Sequence, residues 1–170
     1  MNSTEPFSDA LEAALNGEAV LFTGAGFSFG AINVKGESPK SSPELAAELA
    51  AECGIDEETF LDEAAGFFLE DHGTDELISR LRPQYSISSV AEHHTTLARI
   101  PWLRVYTTNY DNVYETACSQ LPRAVQPLTL QYQPQDVSFT RNDCIHLNGV
   151  IDQLNRQTIQ SSFKLTRVSY

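Results

Sequence analysis

Short apolar runs along the chain predict buried strands, each bounded by polar or glycine-rich turns. The first, Ala19–Thr23, contains Val-Leu-Phe and runs directly into closely spaced glycines, which favours a strand over a helix. The run Val105–Thr108 is rich in residues that favour strands. Further strands are predicted at Val125–Gln131, where a proline interrupts the run, and at Asp143–Gly149, which ends in a polar turn. The tail, Ser161–Tyr170, is predicted as a strand followed by the start of a helix.

Apolar positions that recur every three to four residues predict helices between these strands. The first two predicted helices are Asp9–Leu15, capped by Ser8, and Ser42–Cys53, which begins with Ser42-Pro43-Glu44 and is ended by Gly54. A third begins at Asp56 and has an apolar stripe of Phe60, Leu61, Ala64, Phe67 and Phe68. The others begin at Thr74 and end before Pro83, run from Ser88 or Ser89 to about Ile100, and cover Asn112–Gln120. The helices between Ser42 and Pro83 interrupt the alternation with strands, so they are predicted to form an inserted helical layer.

The order of strands and helices predicts an α/β fold: a Rossmann-like parallel sheet with flanking helices and the inserted helical layer. A chain of 170 residues is long enough for one domain with a proper core, so residues 1–170 are predicted to form a single domain. Gly24, Gly26 and Gly30 follow the first strand with a spacing one residue off the dinucleotide-binding fingerprint. Taken alone, this pattern fits either a ligand-binding turn or a plain turn between a strand and a loop.

The composition narrows the possible functions. The formal net charge of −12 argues against a nucleic-acid-binding surface, which needs a basic face. No stretch approaches the roughly 18 apolar residues of a membrane span. The polar N-terminal segment Met1–Pro6 lacks the basic region of a secretory signal. We therefore expect a cytoplasmic protein without a membrane anchor.

The cysteines and histidines do not predict a metal site. Cys53, Cys118 and Cys144 lie far apart and form no C-x-x-C pair, which fits a reducing compartment and cannot supply a four-cysteine zinc module. His93 and His94 are adjacent, so on a helix they point in different directions and cannot bind one metal ion as an i, i+4 pair. We interpret these two as packed or surface histidines.

Polar residues that could carry chemistry follow the later strands. Asn109 and Asp111 lie between the strand Val105–Thr108 and the next helix, where they are either turn and capping residues or site residues. His146 alternates with two apolar neighbours and is either a buried structural histidine or a site residue. The polar segment Asn33–Ser42 is expected to be a mobile loop near the glycine turn, either closing over a ligand or simply connecting two elements.

Three segments resemble motifs of the sirtuin family, in the order that the family has them. Gly24-Ala25-Gly26-Phe27-Ser28 resembles the motif Gly-Ala-Gly-x-Ser. Thr107-Thr108-Asn109-Tyr110-Asp111 resembles Thr-Gln-Asn-x-Asp, in the form seen in bacterial sirtuin-like NAD-consuming defence proteins. Ile145-His146-Leu147-Asn148-Gly149 resembles the segment that carries the family's catalytic histidine. With a similar helix start at Leu165–Tyr170, the resemblance spans about Val20–Tyr170.

The resemblance implies a domain that binds NAD+ as its substrate and cleaves it to nicotinamide and ADP-ribose, without a metal cofactor. The residues that it assigns to NAD+ binding are Gly24, Ala25, Gly26, Phe27, Ser28, Thr108, Asn109, Asp111 and Asn148. It assigns catalysis to Asn109, which would orient the attacking water and a ribose hydroxyl, and to His146 as general base. Asp111 would stabilise the cationic transition state, and Phe27 would form part of an apolar wall.

The sequence departs from the family at two points, and more than one function stays compatible with it. Sirtuin deacylases carry a four-cysteine zinc module that this chain cannot build, which favours NAD+ hydrolysis over protein deacylation. The family's histidine directly precedes the glycine, whereas here Asn148 precedes Gly149 and His146 stands two positions earlier. Which of the two side chains faces the ribose is therefore open. A non-catalytic sensor of NAD+ or ADP-ribose, and an assembly module with a vestigial pocket, are also compatible with the sequence.

The resemblance also implies a biological setting. Such proteins deplete NAD+ in antiphage defence, commonly as homo-oligomers, and can carry further domains or work with a partner effector protein. The chain stops before the segment that completes the adenine side of the family's pocket, so we expect it to be the N-terminal part of a longer protein. All of these assignments require that the turn near Ala25, the amide of Asn109 and the imidazole of His146 converge on one cleft, at one edge of a parallel sheet.

Overall fold

The computed structural model describes residues 5–55, 59–122, 125–131 and 142–166, and a parallel β-sheet lies at its centre. The strands in chain order are β1 (Val20–Thr23), β2 (Ile32–Asn33), β3 (Ile87–Ser89), β4 (Arg104–Thr107), β5 (Val125–Thr129) and β6 (Asn142–His146). The main sheet has the spatial order β1-β4-β6-β5, and every neighbouring pair in it is parallel. β2 and β3 form a separate antiparallel pair. The predicted α/β fold with a parallel sheet is confirmed.

The strands of the main sheet end level with one another. Thr107 of β4 pairs with Thr23 of β1 on one side and with His146 of β6 on the other. His146 in turn pairs with Thr129 at the end of β5. Because the strands are parallel, the loops that follow them all leave from this one edge, which is where open α/β sheets bind their ligands.

The described residues contain six α-helices. They are α1 (Glu5–Leu15), α2 (Ser42–Cys53), α3 (Leu61–His72), α4 (Thr74–Tyr85), α5 (Glu92–Arg99) and α6 (Val113–Ser119). Of these, α2, α3 and α4 form the inserted layer, and α5 and α6 pack on the sheet. α2 has clear boundaries: Ser41 and Glu44 form a capping box at its start, and Gly54 ends it in the left-handed conformation. In the described part of the chain, none of the helices has the length and apolar character needed to cross a membrane.

The helical layer and the sheet are built around different buried clusters. α2, α3 and α4 pack with the segment that follows β6, around Leu45, Ala46, Leu49, Ala50, Ala64, Ala65, Phe68, Leu77, Leu81, Tyr85, Ile151, Leu154, Ile159, Phe163 and Leu165. A second cluster forms where α5 and α6 pack on the sheet; its buried residues are Ala98 of α5, Tyr114, Ala117 and Cys118 of α6, Val105 of β4 and Cys144 of β6. A fully buried Leu or Phe side chain contributes about 1.5–3 kcal/mol. The inserted helical layer is therefore a cohesive unit of its own, packed beside the edge of the sheet.

Four sequence predictions about the fold are wrong. Ser8, predicted to cap the first helix, lies inside α1. The helix expected from Ser88 or Ser89 begins at Glu92, because Ile87–Ser89 pairs with β2, a partner distant in sequence. Pro83 lies inside the last turn of α4, which continues to the buried Tyr85. The described part of the predicted tail strand, residues 161–166, forms turns instead, and residues 167–170 lie outside the described residues.

Other boundaries differ by a few residues. α3 begins at Leu61, and the predicted cap Asp56 lies outside the described residues. Phe60 and Phe67 belong to the predicted apolar stripe but are exposed. β5 accommodates Pro127 because it is an edge strand of the main sheet, where a missing N–H is tolerated.

Candidate functional site

A cleft of about 1000 Å³ lies between the edge of the sheet and the helical layer, at the upper end of the range for ligand pockets. Its described lining is Ala25, Gly26, Ser28, Phe29, Gly30, Ser38, Pro39, Lys40, Ser41, Ser42, Pro43, Glu44, Ala46, Thr59, Phe60, Leu61, Asp62, Tyr85, Thr108, Asn109, Tyr110, Asp111, Asn148 and Leu165. The turns after β1, β4 and β6 thus meet the first turns of α2 and α3. The polar segment Asn33–Ser42 lies beside the glycine turn, as predicted, and its last residues line the cleft.

Three polar side chains form a hydrogen-bonded chain in this cleft. The Asn109 amide Nδ2 donates to the Ser28 hydroxyl at 2.9 Å and to the Gly24 carbonyl at 3.0 Å. The Ser28 hydroxyl donates to Asp111 Oδ2 at 2.5 Å. The first and second motifs of the sequence analysis, more than 80 residues apart, are therefore joined directly. We call this set the Asn109–Ser28–Asp111 chain.

The end of β4 fixes two members of this chain by local contacts. Thr107 Oγ1 accepts the backbone N–H of Asn109 at 3.1 Å, which sets the turn out of the strand. Asp111 Oδ1 accepts the backbone N–H of Val113, the first residue of α6, at 3.2 Å. Asp111 therefore both holds the start of α6 and lines the cleft. Its position fits the capping interpretation and the site interpretation alike.

Burial controls the charge of Asp111. Its exposed fraction is 6 %, and burial raises its pKa, while the hydrogen bonds from Ser28 and Val113 oppose that rise. A carboxylate held this way keeps a fixed orientation, and most of its surface is shielded from solvent. It can therefore stabilise a positive charge that develops in the cleft more strongly than an exposed carboxylate can.

His146 lies behind the cleft instead of in it. Its exposed fraction is 1 %, and it is not among the residues that line the cleft. Its Nδ1 lies 3.0 Å from the Asn109 carbonyl oxygen, and its Nε2 lies 3.0 Å from Glu115 Oε1. Burial opposes its protonation, but the hydrogen bond and charge of Glu115 outweigh burial and raise the pKa of His146. The expected convergence on one cleft is met by the turn and Asn109, and not by the imidazole.

Asn148 occupies the cleft position that His146 does not reach. On a continuous strand, the side chains of His146 and Asn148 would share a face. β6 ends at His146, so this alternation does not extend to Asn148. The Asn148 amide donates to the Thr108 carbonyl at 3.0 Å, which joins the turns after β6 and β4. Gly149 follows with φ 93°, and a Cβ there would meet the backbone of Phe163 at 2.8 Å. The turn that presents Asn148 therefore requires glycine.

The glycine turn contributes its residues unequally. Ala25, Gly26 and Ser28 line the cleft, whereas Gly24 contributes a carbonyl that holds Asn109. Phe27 points away: its ring packs edge-on against His94, with 5.1 Å between ring centroids. The expectation that Phe27 forms a wall of the cleft is therefore wrong. The neighbouring Phe29, which is 83 % exposed, lines the cleft instead.

Several cleft residues escape prediction because no local pattern marks them. Tyr110 belongs to the second motif, which assigns it no role; its hydroxyl donates to the Lys164 carbonyl at 2.5 Å and its ring stacks on Phe163. Lys40 and Tyr85 come from the loop before α2 and from the end of α4. They reach the cleft only because the helical layer packs against the sheet, a contact between segments distant in sequence.

Among the described residues, one group of side chains has metal-ligand chemistry, and it lies outside the cleft. Ligand atoms of Glu115, Cys144 and His146 are within 4.8 Å of one another. The Glu115–His146 hydrogen bond occupies two of these atoms. Burial and the nearby Glu115 carboxylate raise the pKa of the Cys144 thiol well above its usual value, so it stays protonated. This group is a buried hydrogen-bonded cluster, and it supports the Asn109 turn through the contact of His146 with the Asn109 carbonyl.

Comparison with known proteins finds a relative that is similar to part of this chain. No protein-family model matches the chain. Over 114 residues the chain is 31 % identical to the NAD(+) hydrolase ThsA of Cytobacillus dafuensis, a match that covers 65 % of this chain and 22 % of that protein. The chain thus spans about a fifth of the length of this relative. It is similar to part of a protein that is named for hydrolysing NAD+.

Proposed function

We propose that residues 1–170 form a sirtuin-like domain that binds NAD+ and hydrolyses it to nicotinamide and ADP-ribose. The main support is the Asn109–Ser28–Asp111 chain in a large cleft at the carboxyl edge of a parallel sheet. The similarity to an NAD(+) hydrolase supports the same reaction. NAD+ is the substrate in this proposal, and the residues proposed to act on it require no metal ion.

The reaction breaks the bond between ribose C1′ and the ring nitrogen of nicotinamide. The electron pair of that bond leaves with nicotinamide, and positive charge develops on the ribose, as in glycoside hydrolysis. A water oxygen then bonds to C1′ and gives up a proton. The protein must therefore hold the ribose, place the water and stabilise a transient cation.

The described side chains can divide these tasks. The amide oxygen of Asn109 has no hydrogen-bond donor among the described residues, because the contacts of this side chain run through Nδ2. In the proposal it accepts a hydrogen bond from the attacking water or from a ribose hydroxyl. The oriented Asp111 carboxylate stabilises the cationic ribose and accepts the proton that water releases. Ala25, Gly26 and Asn148 hold the substrate beside these groups.

His146 has a positioning role in this proposal in place of the general-base role predicted from the resemblance. Its contacts with the Asn109 carbonyl and with Glu115 occupy both ring nitrogens. It therefore supports the backbone turn that aims the Asn109 amide. Ser28 likewise joins Asn109 to Asp111 and keeps both in fixed rotamers.

Replacing Asn109 with alanine tests the proposal. We expect Asn109→Ala to lower nicotinamide release from NAD+ about 100-fold or more, the size typical of losing one aligned polar group at the reacting centre. Asn112→Ala is the matched control, because Asn112 lies in the same turn and bonds to Ile87 and Asp152 outside the cleft. A folded Asn109→Ala protein that releases nicotinamide at the parent rate would refute the proposal.

A second candidate is a non-catalytic sensor of NAD+ or ADP-ribose. Two observations favour a sensor. The cleft residue at position 148 is an asparagine, which cannot act as a base, and His146 is buried outside the cleft. Calorimetry and product analysis distinguish the two functions. Binding of NAD+ that leaves the nucleotide intact after prolonged incubation selects the sensor, and release of nicotinamide selects the enzyme.

The wider setting is part of the proposal. We infer that the domain acts in the cytoplasm, in antiphage defence by NAD+ depletion, within a longer protein. We also infer that it works as a homo-oligomer, with further domains or a partner effector protein. The supporting observation is the similarity to a much longer NAD(+) hydrolase. Size-exclusion chromatography with light scattering of the full-length protein tests the oligomeric state.

A further inference from the structure

The cleft is acidic and contains one cation among its described lining residues. Lys40 has a positively charged side chain, whereas Glu44, Asp62 and Asp111 contribute carboxylates. The whole chain carries a formal charge of −12, so its general field repels anions. A dinucleotide with a pyrophosphate carries two negative charges. A cation that can reach the pyrophosphate therefore strengthens its binding here, beside the backbone N–H groups of the glycine turn.

Lys40 is held in a way that leaves its ammonium free to change partner. Its backbone is fixed, because the Tyr85 hydroxyl donates to the Lys40 carbonyl at 3.1 Å and the next residue, Ser41, caps α2. Its side chain is 33 % exposed and pairs with Glu48 of α2. A lysine side chain is a flexible stem with a point charge, so it can turn towards another anion at small cost.

Glu48 keeps a cation even if Lys40 leaves it. Arg80 of α4 lies 3.1 Å from Glu48 through Nη1, and it also pairs with Glu52 at 2.7 Å and with Glu76 at 3.7 Å. Moving the Lys40 ammonium from Glu48 into the cleft therefore does not strand an unpaired carboxylate. The Lys40–Glu48 pair is itself partly exposed, and such ion pairs contribute little to stability, so exchanging it for a phosphate contact costs little.

We infer that Lys40 is the pyrophosphate-binding residue of the cleft, exchanging Glu48 for phosphate oxygens when a dinucleotide binds. The inference rests on the proposed function for the identity of that ligand, since NAD+ and ADP-ribose share the pyrophosphate. Lys40 then determines affinity for the substrate and takes no part in the bond-breaking step. Such an interaction is the same in the ground state and the transition state, so it acts on KM and not on kcat.

The first test measures ADP-ribose binding by calorimetry and NAD+ hydrolysis in parallel. Lys40→Gln is expected to weaken ADP-ribose binding and to raise KM for NAD+, each about tenfold, with kcat unchanged. Lys35→Gln is the matched control, because Lys35 is an exposed lysine of the same loop that pairs with Glu37 and does not line the cleft. It removes the same charge and is expected to leave both quantities unchanged. Equal affinities for the parent and Lys40→Gln overturn the inference.

The second test frees the lysine and also serves if Lys40→Gln fails to fold. Glu48→Gln removes the competing carboxylate, so ADP-ribose is expected to bind several-fold more tightly than to the parent. Unchanged or weaker binding to a folded Glu48→Gln protein overturns the exchange. If NAD+ is hydrolysed and neither variant shifts ADP-ribose affinity, only the role of Lys40 fails. If affinity depends on Lys40 but no nicotinamide is released, only the hydrolase function fails.

Discussion

At the scale of single residues, the pair His146 and Glu115 decides how firmly the Asn109 turn is held. Burial works against the imidazolium form of His146, but Glu115 and the Asn109 carbonyl favour it more strongly and raise its pKa above the ordinary 6.5. The protonated imidazole donates to both oxygens at once. Protonation of His146 therefore strengthens the support of Asn109 without contact with a substrate.

This pair predicts a pH dependence of stability. Because the pKa of His146 is raised on folding, its stabilisation is fully present below pH 6.5 and is lost as pH rises through the higher folded-state pKa. Glu115→Gln removes the main cause of the raised pKa, so urea unfolding should show a larger difference from the parent at mildly acidic pH than at alkaline pH. Glu115 also contributes to the raised pKa of Asp111, but burial is the larger cause of that rise and acts in both proteins. Glu92→Gln, at an exposed acid of α5, serves as control. A difference that does not change with pH would contradict this account.

The sequence identifies some site residues and not others, for reasons visible at this scale. Ser28, Asn109 and Asp111 follow strands within recognisable motifs, and the structure joins them by hydrogen bonds. The prediction that His146 and Asn148 face the same pocket relies on strand alternation. That alternation stops at the end of β6, so Asn148 lines the cleft and His146 does not. Lys40 has no local signal at all. Its neighbours in the cleft come from elements whose packing the sequence does not reveal.

At the scale of secondary-structure elements, the glycine turn after β1 leaves room for a ligand. A Cβ on Gly26 would meet no described atom within 4 Å, and Gly26 lines the cleft. The backbone there is also not in the left-handed region. The protein itself therefore does not require glycine at this position, whereas a ligand that passes close to the backbone would.

Alanine at this position tests that requirement. Gly26→Ala is expected to fold with the parent's melting temperature and to bind ADP-ribose about tenfold more weakly, the cost typical of one methyl group forced into a close contact. Gly66→Ala is the matched control, because Gly66 is an open glycine inside α3 and does not line the cleft. It should add about 0.5–1 kcal/mol of stability with no effect on binding. Parent-like binding by Gly26→Ala would mean that no ligand approaches this turn.

Element prediction succeeds where local signals are strong. Ser41, Pro43 and Gly54 bound α2 within one residue of the predicted helix, since capping and helix termination are local effects. It fails at Ser88 and Ser89, which have capping side chains but pair with β2 some 55 residues away. The hydroxyl of Ser88 bonds to carbonyls of β2 instead of to a helix. Pairing with a distant strand overrides a local preference there.

At the scale of the whole molecule, the cleft joins two separately packed parts of the fold. One wall comes from the turns of the parallel sheet and the other from the first turns of α2 and α3. The parallel sheet is predictable from the alternation of strands and helices, and it places the three carboxyl-end turns together. The position of the helical layer is not predictable, because it depends on packing among side chains far apart in sequence. The residues that line the cleft come from both parts, the turns of the sheet and the helical layer.

A crystal structure of the protein with ADP-ribose tests the central claim most directly, because it locates the reacting ribose. We expect the ribose to lie within hydrogen-bond distance of Asn109 and beside Asp111, with the pyrophosphate near Gly26 and Lys40. ADP-ribose bound elsewhere on the molecule, or bound in the cleft with its ribose out of reach of the Asn109 amide, would contradict it.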